Sequence, residues 1–132
     1  MKITNAELLM LNETMKKCNG LGGSKVAYAV YKNQAIVERE NELLQKMHLD
    51  VVSKYKDPDR SDENRIQVKE EFLQEANKEL TDLYNQEADV DFYQIKPGDF
   101  NPEKLILGGM TVDICRTIEK YFVAKDDGEN DK

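Results

Sequence analysis

The sequence predicts a mainly α fold: a long antiparallel helical hairpin packed by an N-terminal and a C-terminal helix, with a minimal two-stranded β ribbon. Three observations predict it. Two stretches of helix-forming sequence, Ser24 to Lys56 and Ser61 to Glu87, are separated only by Asp57-Pro58-Asp59-Arg60. Apolar residues recur within both at spacings of three, four and seven, the period of a half-buried helix. The chain is 39% hydrophobic and 34% charged, a balance that suits helices with solvated outer faces. A length of 132 residues allows one core, so residues 1–124 are expected to form a single helical domain.

The elements follow in order. Thr4-Asn5-Ala6-Glu7 has the capping-box pattern, with Ile3 and Leu8 at the staple positions. A helix over about residues 5–18 follows, with Leu8, Leu11, Met15 and Cys18 on one face and Lys16-Lys17 near its negative end. Asn19-Gly20-Leu21-Gly22-Gly23 then reads as a turn, since this run lacks the strand and the Lys-Ser/Thr of a phosphate loop. The first hairpin arm carries Val26, Ala29, Val30, Ile36, Val37, Leu43, Leu44, Met47 and Val51 as its apolar positions. Within it Val30, Val37, Leu44 and Val51 form a strict seven-residue series, with Asn33, Glu40 and Met47 between them. Polar residues at such positions can set register or oligomeric state in a helical seam, or simply mark a stripe that is partly exposed. The candidate self-association seam is therefore Val30, Asn33, Val37, Leu44, Met47 and Val51.

Pro58 is expected to end the first arm and Ser61 to cap the second, with Asp62 and Glu63 in the favourable first turn. Ile66, Leu73, Ala76, Leu80 and Leu83 continue the stripe, widened by Phe72 and Tyr84. Val90-Asp91-Phe92-Tyr93-Gln94-Ile95 is rich in β-branched and aromatic residues and stops at Pro97-Gly98, as a strand would. A lone strand leaves its ladder groups unpaired, and Met1-Lys2-Ile3 is the partner left by elimination. Asn101-Pro102 opens a short helix that Gly108-Gly109 ends, and Thr111 caps a last helix bearing Val112, Ile114, Cys115, Ile118, Tyr121 and Phe122. Those residues cover most sides of the helix, which predicts a central packing element. Residues 125–132 offer nothing apolar to bury and are expected to be a disordered acidic tail.

Charge and chemistry narrow the function. Residues 62–91 hold 10 acidic and 3 basic groups, matching the net charge of −7 of the whole chain. An acidic stripe repels phosphate, so direct nucleic-acid binding is not expected. Glu71, Glu75, Glu79 and Asp82 instead form a candidate acidic face for a basic protein partner. Neither a secretory leader nor an apolar run of membrane-spanning length is expected, so a cytoplasmic protein is the expectation. Cys18 and Cys115 have no zinc-like spacing and sit among core-like residues, as inert reduced thiols do. His48 is the single histidine, at the edge of the stripe, and no nucleophilic triad can be built on it. A di-iron bundle needs Glu-x-x-His, and nothing acidic lies three residues before His48. All-helical nucleotide pyrophosphohydrolases hold magnesium with Glu-x-x-Glu and Glu-x-x-Asp; Glu79-Leu80-Thr81-Asp82 supplies only the second half. No catalytic, metal or cofactor site is expected.

The opening Met1-Lys2-Ile3-Thr4-Asn5-Ala6-Glu7-Leu8-Leu9, the Lys25-Val26-Ala27-Tyr28-Ala29 helix start and the late Val90 to Ile95 segment before a terminal helix resemble short uncharacterised proteins encoded by phages and prophages of Gram-positive bacteria. The resemblance implies a viral origin and carries no functional residue. The expectation is a non-enzymatic, phage- or prophage-encoded interaction or structural protein that forms a homo-oligomer through its hairpin. The alternative is a phage inhibitor whose acidic helix occupies a basic surface of a host defence or nucleic-acid-processing protein.

Overall fold

A computed structural model describes residues 1–18, 21, 24–62 and 64–125. All but Lys125 of the expected acidic tail at 125–132, most of the expected glycine turn at 19–23 and the expected first-turn Glu63 lie outside the described residues. The fold is mainly α. A short strand β1 (Lys2–Thr4) leads into α1 (Asn5–Met15), and the long helix α2 (Lys25–Lys54) follows. Helix α3 (Leu73–Asn85), strand β2 (Glu87–Asp89), the six-residue α4 (Pro102–Leu107) and α5 (Val112–Phe122) complete the order.

The caps form where the side chains can form them. The Thr4 hydroxyl accepts from the Glu7 amide at 3.1 Å, and the Glu7 carboxylate accepts from the Thr4 amide at 3.1 Å. Ser24, Asn101 and Thr111 each accept an amide of the first turn of α2, α4 and α5 in the same way. Gly109, with φ of 107°, takes the left-handed conformation that closes the loop after α4, where a side chain would be strained.

The second hairpin arm begins later than its sequence suggests. Ser61 caps no helix: its hydroxyl accepts from the Gln67 amide at 2.9 Å, and the described residues between α2 and a single 3₁₀ turn at Glu70–Phe72 form a loop closed by an antiparallel bridge of Lys56 with Val68. Asp57 and Asp62 accept the amides of Asp59 and Asn64, two residues ahead, and Arg60 binds both Asp57 and the Val68 carbonyl. Such local bonds offer the backbone an alternative to the helix ladder. No apolar residue before Ile66 could reward a helix with burial, so the alternative wins. The arms are antiparallel where they meet. Lys54 pairs with Glu79 at 2.6 Å and His48 with Tyr84 at 2.9 Å, while Tyr55 and Phe72 close the turn with ring centroids 5.5 Å apart.

The ribbon uses the expected N-terminal partner with the second strand three residues earlier than expected. Lys2, Ile3 and Thr4 oppose Asp89, Ala88 and Glu87, antiparallel. Val90 continues the ribbon by two further bonds to Met1, its amide donating to the Met1 carbonyl and its carbonyl accepting from the N-terminal ammonium at 2.9 Å. Residues 90–95 are extended without forming a ladder, because Val90, Phe92 and Ile95 point into the core and Ile95 makes only a parallel bridge to Val123.

One core unites α1, the first half of α2, α5 and the extended segment. Leu8, Leu11 and Met15 meet Val26, Val30 and Val37 on one side, and Ile118, Tyr121 and Phe122 on the other. Phe92 packs edge-on against Phe122 at 5.2 Å between centroids. Helix α5 is one-sided rather than buried all round, since Val112 is half exposed.

The Tyr121 hydroxyl donates to Glu7 at 2.5 Å, so a single carboxylate joins the α1 cap to α5. That bond, helped by the Thr4 amide, holds the Glu7 carboxyl below its usual range; burial and the same carboxylate push the Tyr121 phenol up, so it stays a donor. A carboxyl depressed on folding contributes stability above its unfolded pKa of ~4.3 and loses it as pH falls through the lower folded value. The melting temperature of Glu7→Gln is therefore expected below wild type at pH 7, with the gap closing as both are melted at successively lower pH. A gap unchanged down to pH ~3 would show that the carboxylate charge contributes nothing.

Candidate interaction surfaces

The sequence-derived seam divides in two. Val30, Asn33 and Val37 are completely buried and Leu44 is 2% exposed, whereas Val51 is half-buried and Met47 is 38% exposed. The first four fill the core of their own chain. They are covered within their own chain by α1, α5 and α3. The series marks a buried stripe, and the expectation that all six residues form a seam between chains is corrected at these four.

Asn33 has a different partner from the one a seam implies. Its side-chain amide donates to the Tyr93 carbonyl at 2.9 Å and its oxygen accepts from the Tyr93 amide at 2.7 Å. A polar residue in the buried face of a 30-residue helix thus fixes the backbone of an extended segment 60 positions away. Both polar ends of the side chain are satisfied, which removes the penalty of burying it.

What α2 leaves exposed is a flank beside the stripe. Leu43 is 55% exposed and, one turn on, Met47 shares its side of the helix. Both stand at the rim of a shallow groove of about 160 Å³ that also has Leu8, Leu44 and Ala88 in its lining. Leu8 and Leu44 are buried at its base, and Asn5, Glu40 and Gln86 complete the lining, so apolar and polar groups share the groove. Its far end is built where Asn5 ties α1 to α3, donating from its side chain to the Leu83 carbonyl at 2.8 Å.

The acidic face is partly occupied from within. Glu75, Glu79 and Asp82 share one side of α3, while Glu71 lies in the 3₁₀ turn ahead of it. Glu79 is paired with Lys54, which holds its carboxyl below the usual range; Glu71, Glu75 and Asp82 are exposed. The half magnesium motif is therefore tied to a lysine, and no group of three or more metal-ligating side chains occurs among the described residues. His48 makes a structural contact with Tyr84 between α2 and α3. Burial raises both thiols, Cys18 and Cys115, keeping them protonated. No helix among the described residues is long and apolar enough to cross a membrane.

A pairing of two tyrosines escaped the sequence reading. Tyr28 on α2 and Tyr93 lie edge to face with centroids 5.1 Å apart, and the Lys32 ammonium is 5.5 Å and 5.2 Å from the two rings. The available signal was Tyr28 itself, which stands off the apolar stripe between Lys25 and Lys32.

No protein-family model, no curated protein and no solved structure matches the chain.

Proposed function

We propose that this chain is a non-enzymatic interaction protein, phage- or prophage-encoded as its resemblance implies, that associates with a second copy of itself through the exposed flank of α2. The observation that supports the reading is the pair of exposed apolar side chains, Leu43 and Met47, at the edge of a concave groove. Scattered exposed apolar residues are ordinary, but these two stand one helical turn apart beside a hollow lined by Leu8, Leu44 and Ala88 together with Asn5, Glu40 and Gln86. In a two-fold pair each copy offers the same patch, so the rim of one meets the groove of the other. Light scattering at micromolar concentration is expected to give a mass rising toward twice that of the chain, and a strict monomer throughout would overturn the self-association.

A second reading rests on the exposed Glu71, Glu75 and Asp82, which make no ion pair among the described residues. They would engage a basic protein surface, in the manner of an inhibitor. Reversing the three to lysine should then abolish capture of such a partner and its sensitivity to salt, and undiminished capture would reject the electrostatic account.

A further inference from the structure

We infer that the cavity at the N-terminal end of α2 is a binding site for a nucleoside monophosphate, with the base on the Tyr28–Tyr93 pair and the phosphate between Lys25 and Lys96. The cavity measures about 350 Å³ and is lined by Lys25, Tyr28, Tyr93, Lys96 and Asp99 among others. That is the low end of the range for small-molecule pockets, ~300–1,000 Å³, and suits a ligand of one ring system and one charged group. Both tyrosines are about half exposed, so ring surface is open to a planar partner.

The charges favour an anion despite the acidity of the chain. Lys25 shares Asp99 at 3.3 Å, while among the described residues Lys96 and Lys32 have no carboxylate within ion-pair distance. The positive end of the α2 dipole lies here, and its first turn carries Lys25 and no acid. The opposite end of α2, where Lys54 meets Glu79, is about 44 Å away along the helix, several times the ~8 Å screening length of physiological salt. The acidic arm therefore discourages a long polyanion, which would run past it, and leaves one small phosphate at this end unaffected.

The site is also held in place. Tyr93 is fixed through both its backbone groups by the buried Asn33, so the aromatic half needs no ordering when a ligand arrives. Lys32 keeps a cation against both rings, and base stacking on tyrosine tolerates any base.

The full chain, titrated with adenosine 5′-monophosphate and followed by amide chemical shifts, is expected to give saturable changes at Lys25, Tyr28, Tyr93 and Lys96. Adenosine and inorganic phosphate, each lacking one half of the ligand, should bind at least about tenfold more weakly. Tyr93→Ala and Lys96→Glu should each weaken binding roughly tenfold at an unchanged melting temperature. Lys46→Glu, an equal charge change farther along α2, should leave it unaltered. The inference is overturned if none of the four ribonucleoside monophosphates saturates by about 10 mM, where even a ~1 mM site would fill. Wild-type affinity in Tyr93→Ala or Lys96→Glu, or phosphate bound as tightly as the nucleotide, would overturn it equally.

Discussion

Asn33→Leu is expected to cost about 2–4 kcal/mol of folding stability, although it replaces a polar core residue by an apolar one of similar size. The exchange would be favourable if Asn33 served only to fill the stripe. It is unfavourable because the Tyr93 amide and carbonyl both lose their partner, and leucine blocks water from replacing it from the helix side. Each partly buried backbone group left unpaired costs about 1–3 kcal/mol. The other hydrogen-bond anchors of residues 90–95 lie at the ends of the segment: Val90 on Met1 through both backbone groups, the Gln94 side chain on the Tyr121 carbonyl, and Ile95 bonded to Phe122 and Ala124. Loosening at Tyr93 should therefore reach the Phe92–Phe122 contact and appear in hydrogen exchange along that segment before global unfolding. Urea unfolding of wild type and variant measures the loss, and a variant within ~0.5 kcal/mol of wild type would mean that the amide bonds do not hold the segment.

The same residue shows where sequence reading stops. Local signals carried through well. Thr4 with Glu7, Asn101 with Pro102, and Thr111 all act within one turn of themselves, and each helix starts where its cap stands. The apolar stripe of α2 was legible as a stripe because helical period depends on geometry alone. Its covering was not legible, since Val30 and Val37 share a core with α1, the helix just before α2, and with α5, far along the chain, and neither packing is written in the local pattern. A seven-residue series looks the same whether a second subunit or the same chain lies over it.

Misplaced elements have a comparable cause. Ser61-Asp62 resembles a helix start because a cap residue and a turn residue are chemically alike, and the competition is decided by Gln67, six positions on. The β-branched texture of residues 90–95 signals extended, buried chain. Whether such chain joins a ladder depends on Asn33 and Val123, and the ladder forms instead over Glu87–Asp89, whose acidic residues carry little strand propensity. Among the candidate sites, the acidic face was visible in composition, while its neutralisation at Glu79 needed Lys54, 25 residues earlier. The groove rim and the tyrosine pair are products of tertiary packing and left only exposed residues off the stripe as a trace.

The division of α2 into a core stripe and a partner-facing flank is tested most directly by two adjacent substitutions, Leu43→Asp and Leu44→Asp, melted and weighed by light scattering beside wild type. Leu44 is 2% exposed, and a carboxylate there has no partner, so Leu44→Asp is expected to lose more than about 4 kcal/mol and much or all of the cooperative melt. Leu43 is 55% exposed in the single chain, so Leu43→Asp should melt within ~0.5 kcal/mol of the folded wild-type monomer and remain monomeric where wild type doubles its mass. A Leu43→Asp protein that assembles as wild type does, or a folded Leu44→Asp protein that merely fails to assemble, would contradict the account, the second by returning the seven-residue series to a seam between chains.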